Sequence, residues 1–246
     1  MTAPPRAAAE IQKRTLSFLV LAHLANDSYF GLLPPILPLL LVLYGWPVAF
    51  AGILTTSLSF AGALGQPIFG FFYDRFRKGW LIALCPLGMA LTGFLVFAPN
   101  FAVMYLLLLL AGAGSSCFHP IAVSMANRAS GARKGLGVSL FVAGGRLGLA
   151  AGAGMATFIL ARWGLDAVPL ASVFGLGVGI FLLFLAPRIK PAGASPPADF
   201  HRTLEALRGV VRSMSMLWGI NVCRTASTVS VLTFIPIYIV SEGGPL

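Results

Sequence analysis

Asp27 is the only acidic residue deep inside any of the long apolar stretches of this chain, Asp166 standing at the very edge of another, with His23 four positions before Asp27 and Asn26 beside it. Residues four apart share a helix face, so a carboxyl group and an imidazole can meet there. Three further polar groups interrupt other apolar stretches: His119, Arg146 and Arg224. Two kinds of chemistry suit this set. A carboxyl group and imidazoles can take up and release a proton, and guanidinium groups can attract an anion. Purely structural pairing, or bonding to backbone carbonyls, would also account for them. No nucleophile, base and acid set, metal cluster or phosphate-binding loop stands out, so an enzyme is not expected and no cofactor is implied. Cys85, Cys117 and Cys223 stand singly in different stretches and read as packing residues.

These groups have to be positioned by helices that cross a membrane. Hydrophobic residues make up 58% of the chain and charged ones 10%, well short of the roughly 25% charged residues of a soluble domain. A bilayer core of about 30 Å needs roughly 20 helical residues. Seven stretches meet that length, near 16–43, 47–72, 80–98, 101–127, 135–161, 166–186 and 213–240. The fold class expected is therefore all-α integral membrane. The first stretch follows a basic tail as a secretory leader would, but it ends in prolines rather than a small-residue cleavage site and reads as a span. Counting about 1.5 Å per residue from one membrane face puts Asp27, Arg146 and Arg224 roughly 16 Å deep and His119 roughly 12 Å deep. All four then lie near the midplane, where they would face a central aqueous cavity.

A formal charge of +10 would suggest nucleic acid in a soluble chain, but here the placement of the 17 Lys and Arg decides. Fourteen fall in the N-terminal tail, the second-third loop, the fourth-fifth loop and the sixth-seventh connection, whereas the opposite loops hold only Arg162. By the positive-inside rule the N-terminus is cytoplasmic. The surroundings expected are lipid rather than nucleic acid, and the location expected is a bacterial inner (plasma) membrane. Loops are short except for 187–212, which reads as a cytoplasmic linker between a 1–186 bundle and 213–246. Within it, Phe200 to Arg212 is either an interfacial helix or a solvated tether. Gly144, Gly148 and Gly152 recur every fourth position, a stripe of small residues that lets helices approach closely. Pro34, Pro35 and Pro38 in the first span point to a kinked helix lining a cavity.

At the end of the second stretch stands Gly70-Phe-Phe-Tyr-Asp74-Arg75-Phe-Arg77-Lys78. Glycine permits close helix contact, and an acid among basic neighbours can form a breakable ionic latch. The segment resembles the signature loop of the major facilitator superfamily, G-x-x-x-D-[RK]-x-G-[RK]-[RK], shortened by one residue because the second glycine is missing. Three more segments are similar to the fosmidomycin-resistance branch of that superfamily. They are His23-Leu-Ala-Asn26-Asp27 with Leu32-Leu33-Pro34, Gly112-x-Gly114-Ser115-x-x-Phe118-His119-Pro120 followed by Ala129-Ser130-Gly131-x-Arg133-x-Gly135, and Ser139-Leu-Phe141-x-x-Gly144-Gly145.

The resemblance implies proton-driven export of small molecules, including multidrug efflux by proton antiport. It puts His23, Asn26 and Asp27 at the coupling site, His119 in the cavity, and Asp74 with Arg75 in a latch holding the outward-open state. The chain departs from the branch at Arg146, where a small polar residue is usual, and at Gly152-Ala153, where exporters carry Gly-Pro. With Arg146 and Arg224 outnumbering Asp27, an assembled cavity would be electropositive and favour organic anions. Transporters of this superfamily use two six-helix halves, so the seven spans read as an N-terminal six-helix bundle plus the first helix of an incomplete second bundle. A partial transporter, a half-transporter that pairs with a second copy or a separate C-terminal half, and a nontransporting binding or assembly protein are the three readings that follow.

Overall fold

The computed structural model describes residues 11–76, 79–185 and 200–244. In chain order these form α1 (Lys13–Tyr44), α2 (Ala49–Phe76), a 3₁₀ segment Gly79–Ala83, α3 (Leu84–Met89), a second 3₁₀ segment Ala90–Phe97, α4 (Phe101–Ser116), α5 (Phe118–Ala129), α6 (Lys134–Trp163), a 3₁₀ turn Leu165–Ala167, α7 (Leu170–Leu185) and α8 (Phe200–Ser241). No strand occurs among the described residues. The chain is an all-helical membrane protein. Among the described residues, six helical rods are long and apolar enough to cross a bilayer: Lys13–Tyr44, Trp80–Phe97, Phe101–Ala129, Lys134–Trp163, Leu165–Phe184 and Arg208–Ser241. The remaining rod, α2, has the length at 28 residues, but Thr55, Thr56, Ser57, Ser59 and Gln66 dilute its apolar run.

Several elements differ in detail from the straight rods that hydropathy alone suggests. The third span is mostly 3₁₀ around a short α3. Pro86 lacks the N–H that an α-helix needs there, and the 3₁₀ rise of about 2.0 Å per residue makes a short segment reach further across the bilayer. The fourth span is interrupted at Cys117. Pro120 has no N–H for the carbonyl of Ser116, so the break falls one turn before it and next to His119. The seventh helix starts at Phe200 rather than 213; residues 200–212 contain no proline, and the helix propagates back through them. The rest of the expected linker, residues 187–199, lies outside the described residues. Pro34, Pro35 and Pro38 are all contained within α1. Gly45 closes that helix in the left-handed conformation at φ 64°, accepted without steric penalty by glycine.

Packing follows the glycines. α1 lies chiefly against α6, and α2 against α4. On α6, Gly144, Gly148 and Gly152 lie against the backbone of Val20, Leu24 and Ser28 on α1, four-residue steps matching four-residue steps. A Cβ at Gly152 would overlap the Ser28 carbonyl and stand 2.8 Å from its Cα. We therefore expect Gly152→Ala to destabilise the bundle by about 1–3 kcal/mol, read as a lower thermal midpoint in detergent. Gly154→Ala, whose Cβ would meet nothing within 4 Å, should leave the midpoint unchanged.

Two apolar clusters fill the bundle. One, toward the end bearing the basic loops, contains Leu16, Leu19, Phe118, Ile121 and Phe141. The other, at the opposite end, contains Tyr29, Leu32, Ile36, Leu108 and Ile159. Between them α1 carries residues 23–28, α4 carries Ser115, and α6 carries Gly144 to Gly152. Of the buried polar residues, His23, Asn26, Ser28 and Ser115 meet in this layer between the two apolar cores, whereas Thr92, Ser130 and Ser172 are buried elsewhere.

Candidate functional site

The layer is built around the Asp27 carboxylate. Oδ2 lies 3.2 Å from His23 Nε2, one helical turn back on α1. Oδ1 accepts a 2.9 Å hydrogen bond from the Asn26 side-chain amide, and His119 Nε2 stands 4.0 Å from the same oxygen. Asn26 is fully buried, and its orientation is set by Ser115 on α4: the amide nitrogen reaches Ser115 Oγ at 3.3 Å, and that hydroxyl is 3.4 Å from Asn26 Oδ1. Burial leaves Asn26 few alternatives, because an unpaired buried amide is expensive.

His23 is boxed on its faces and at both ring nitrogens. Phe141 stacks on it at 4.2 Å between centroids and Phe118 sits at 5.4 Å, with His119 edge-on at the same separation. Nδ1 is 2.8 Å from the Phe141 carbonyl oxygen. Above the pair runs the α6 backbone at Gly145. A Cβ there would come within 2.6 Å of Asp27 Oδ2, so glycine lets α6 cover this contact without pushing the two side chains apart. One ring nitrogen from each of His23 and His119 and a carboxylate oxygen of Asp27 lie within 4.8 Å of one another, a spacing that a metal coordination sphere can also span. Both Asp27 oxygens already have separate partners, His23 Nε2 and the Asn26 amide, and we assign no metal there.

On its other side Asp27 borders a cavity of about 240 Å³ between α1, α2, α6 and α8. Arg146 and Arg224 line it, with the hydroxyls of Thr55, Ser59, Thr225 and Thr228. His119 is not part of that lining. Arg224 hydrogen-bonds Asn221 at 2.8 Å on its own helix. Arg146 has no hydrogen-bond or ion-pair partner among the described residues. At the end away from the basic loops, the Thr233 hydroxyl reaches Thr55 at 3.3 Å and ties α8 to α2.

Of the expected latch, Gly70 lies on α2 facing Pro120 of α5, where a Cβ would stand 3.5 Å from the proline Cβ. Asp74 and Arg75 belong to the last turn of α2; their side chains, with Arg77 and Lys78, lie outside the described residues.

Sequence reading misses three members of the layer. Ser115 and Phe141 occur within the family-like segments but carry no charge to mark them, and Phe141 acts through a backbone carbonyl that no residue type reveals. Gly145 ends one of those segments and stands beside the glycine stripe, but nothing in its residue type marks it as the cover of the Asp27 contact.

Comparison with known proteins places these features in a family. Residues 19–245 match the family model described as Major Facilitator Superfamily. The fosmidomycin resistance protein of Escherichia coli (strain K12) is 35% identical over 167 residues, 64% of this chain and 40% of that protein. The uncharacterized MFS-type transporter YfnC of Bacillus subtilis (strain 168) is 28% identical over 176 residues, 70% of this chain and 42% of that protein. The chain thus spans about two fifths of the length of these curated relatives.

Proposed function

Because this chain belongs to the major facilitator superfamily, a family of membrane transporters rather than enzymes, we propose that its polar layer couples proton movement at Asp27 to the efflux of small organic anions held by Arg146 and Arg224. The observation that carries this reading is the position of Asp27, which contacts the His23 imidazole at 3.2 Å with the His119 imidazole 4.0 Å away, and borders the arginine-lined cavity on its other side. A group so placed feels both a proton and a charged substrate, and coupling requires that the two influence each other's binding. Two cavity guanidiniums against one carboxylate already engaged by His23 and Asn26 favour a negative ligand. The similarity to a fosmidomycin resistance protein supports the outward direction.

In this reading the basic loops face the cytoplasm of a bacterium, His23, Asn26 and His119 serve the proton side of the site, and Gly70, Asp74, Arg75, Arg77 and Lys78 form a latch at the cytoplasmic end. The outer end of the cavity is then the one where Thr233 hydrogen-bonds Thr55 at 3.3 Å.

The test is reconstitution of the chain in proteoliposomes with an imposed pH gradient, following a labelled small phosphonate or carboxylate and a neutral analogue. Gradient-driven movement of the anion, lost when a protonophore collapses the gradient, is expected. Movement indifferent to the protonophore removes proton coupling, and equal movement of the neutral analogue removes anion preference. Binding without movement favours a binding protein, or a half-transporter awaiting another chain.

A further inference from the structure

His23 is held at both nitrogens, and the two contacts together fix how many protons the site contains. A carbonyl oxygen can only accept a hydrogen bond, so the 2.8 Å contact to Phe141 places the hydrogen on Nδ1. A neutral imidazole has one N–H, which leaves Nε2 bare. Nε2 faces Asp27 Oδ2 at 3.2 Å. A bare nitrogen and a bare carboxylate oxygen would then oppose lone pairs at hydrogen-bond distance. One proton on that line removes the conflict, as imidazolium with carboxylate or as imidazole with carboxylic acid.

We infer that His23 and Asp27 form a single unit that holds one proton between Nε2 and Oδ2, with the tautomer of the ring fixed by the Phe141 carbonyl. The significance of this unit for transport rests on the proton-coupled reading above; its proton count does not. The surroundings fit. On α1, Asn26 takes up Oδ1 and leaves Oδ2 for the proton. From α5, His119 is the other titratable group facing the pair, 4.0 Å from Oδ1. From α6 come the Phe141 carbonyl, the bare backbone of Gly145 and the cavity-lining Arg146. From α8, Arg224 borders the same cavity. When the proton leaves to cavity water, neutral His23 and the Asp27 carboxylate remain with facing lone pairs, and an attractive contact becomes a repulsive one. Asp27 is then driven from α1's imidazole toward the arginine side of the cavity. Phe141 is a positioning residue in this scheme, acting through its main chain and tying the ring to α6.

The experiment uses the full chain in nanodiscs with ¹⁵N-labelled histidine, in a background where His119→Gln and His201→Gln leave only the His23 signal. Nδ1 is expected to stay protonated across the accessible pH range, with one proton step shared by ring and carboxyl. Asp27→Asn should remove that step, with one fewer proton bound per chain, while Nδ1 stays protonated. Gly145→Ala keeps both titratable groups but puts a methyl against Nε2 and Oδ2; because only side-chain ends must shift, the fold should persist. The shared step should then split into separate ring and carboxyl transitions. A ring protonated at Nε2 and bare at Nδ1 would overturn the inference, as would an unchanged step in Gly145→Ala. Should this spectroscopic pattern hold while transport ignores the pH gradient, the coupling proposal falls and the proton-holding pair stands.

Discussion

Asp27→Asn is expected to reduce pH-gradient-driven movement of substrate to the level of empty vesicles without unfolding the protein. Asparagine has the shape of aspartate, can accept the Asn26 hydrogen bond at its oxygen, and can donate from its amide to His23 Nε2. The contacts of 2.9 Å and 3.2 Å around the carboxylate therefore keep partners. Exchanging one hydrogen-bonded set for another in this way changes stability by about 1 kcal/mol or less, so the thermal midpoint should move little. What asparagine cannot do is bind and release a proton. Asp27→Ala removes the group altogether and leaves Asn26 and His23 without their partner, so both transport and stability should fall. Transport that Asp27→Ala abolishes but Asp27→Asn leaves intact would rule out proton carriage and return Asp27 to a structural role.

How much of such a site is legible in residue order depends on which kind of interaction makes it. Hydropathy and length identify the spans because a membrane-crossing rod must be apolar and about 20 residues long, and α1 and α6 fall close to the limits read from the sequence. α2 shows the limit of that signal. Its hydroxyl-rich stretch at Thr55 to Ser59 lowers hydropathy because Thr55 and Ser59 face a cavity rather than lipid. Counting residues places Asp27, Arg146 and Arg224 at one depth, since rise per residue is fixed, but depth says nothing of azimuth. Which faces converge is decided by the glycine stripe of α6, which brings Gly145 over Asp27 and thereby turns the adjacent Arg146 toward the cavity. The 3₁₀ character of the third span and the break at Cys117 are less legible. One proline has several local solutions, and tertiary packing against Gly114 and Ser172 helps select among them. The Phe141 carbonyl is the extreme case, because main-chain oxygens are invisible in residue identity.

Arg146→Gln and Arg224→Gln are each expected to weaken binding of a small organic anion by about 10- to 100-fold, with charge reversal at Arg146 abolishing it. A hydrogen bond to a charged partner contributes about 1.5–3 kcal/mol, and each 1.4 kcal/mol is roughly tenfold in affinity. The two arginines differ in what they give up. Arg224 already spends one nitrogen on Asn221 at 2.8 Å, whereas Arg146 has no protein partner among the described residues, so Arg146 should lose more. Because a ligand bridging α6 and α8 would engage both, the double variant should fall short of the summed losses once the bridge is gone, the non-additivity expected of groups that share a partner. Isothermal titration of the purified chain with an anionic compound and its neutral analogue separates charge from packing. Loss confined to the anion supports an electropositive site, and the loss should diminish in high salt as screening already weakens the parent. Equal loss for both compounds would assign Arg146 and Arg224 to cavity shape, and Arg146→Lys, which keeps the charge but not the planar fork, would then fail to restore binding of either.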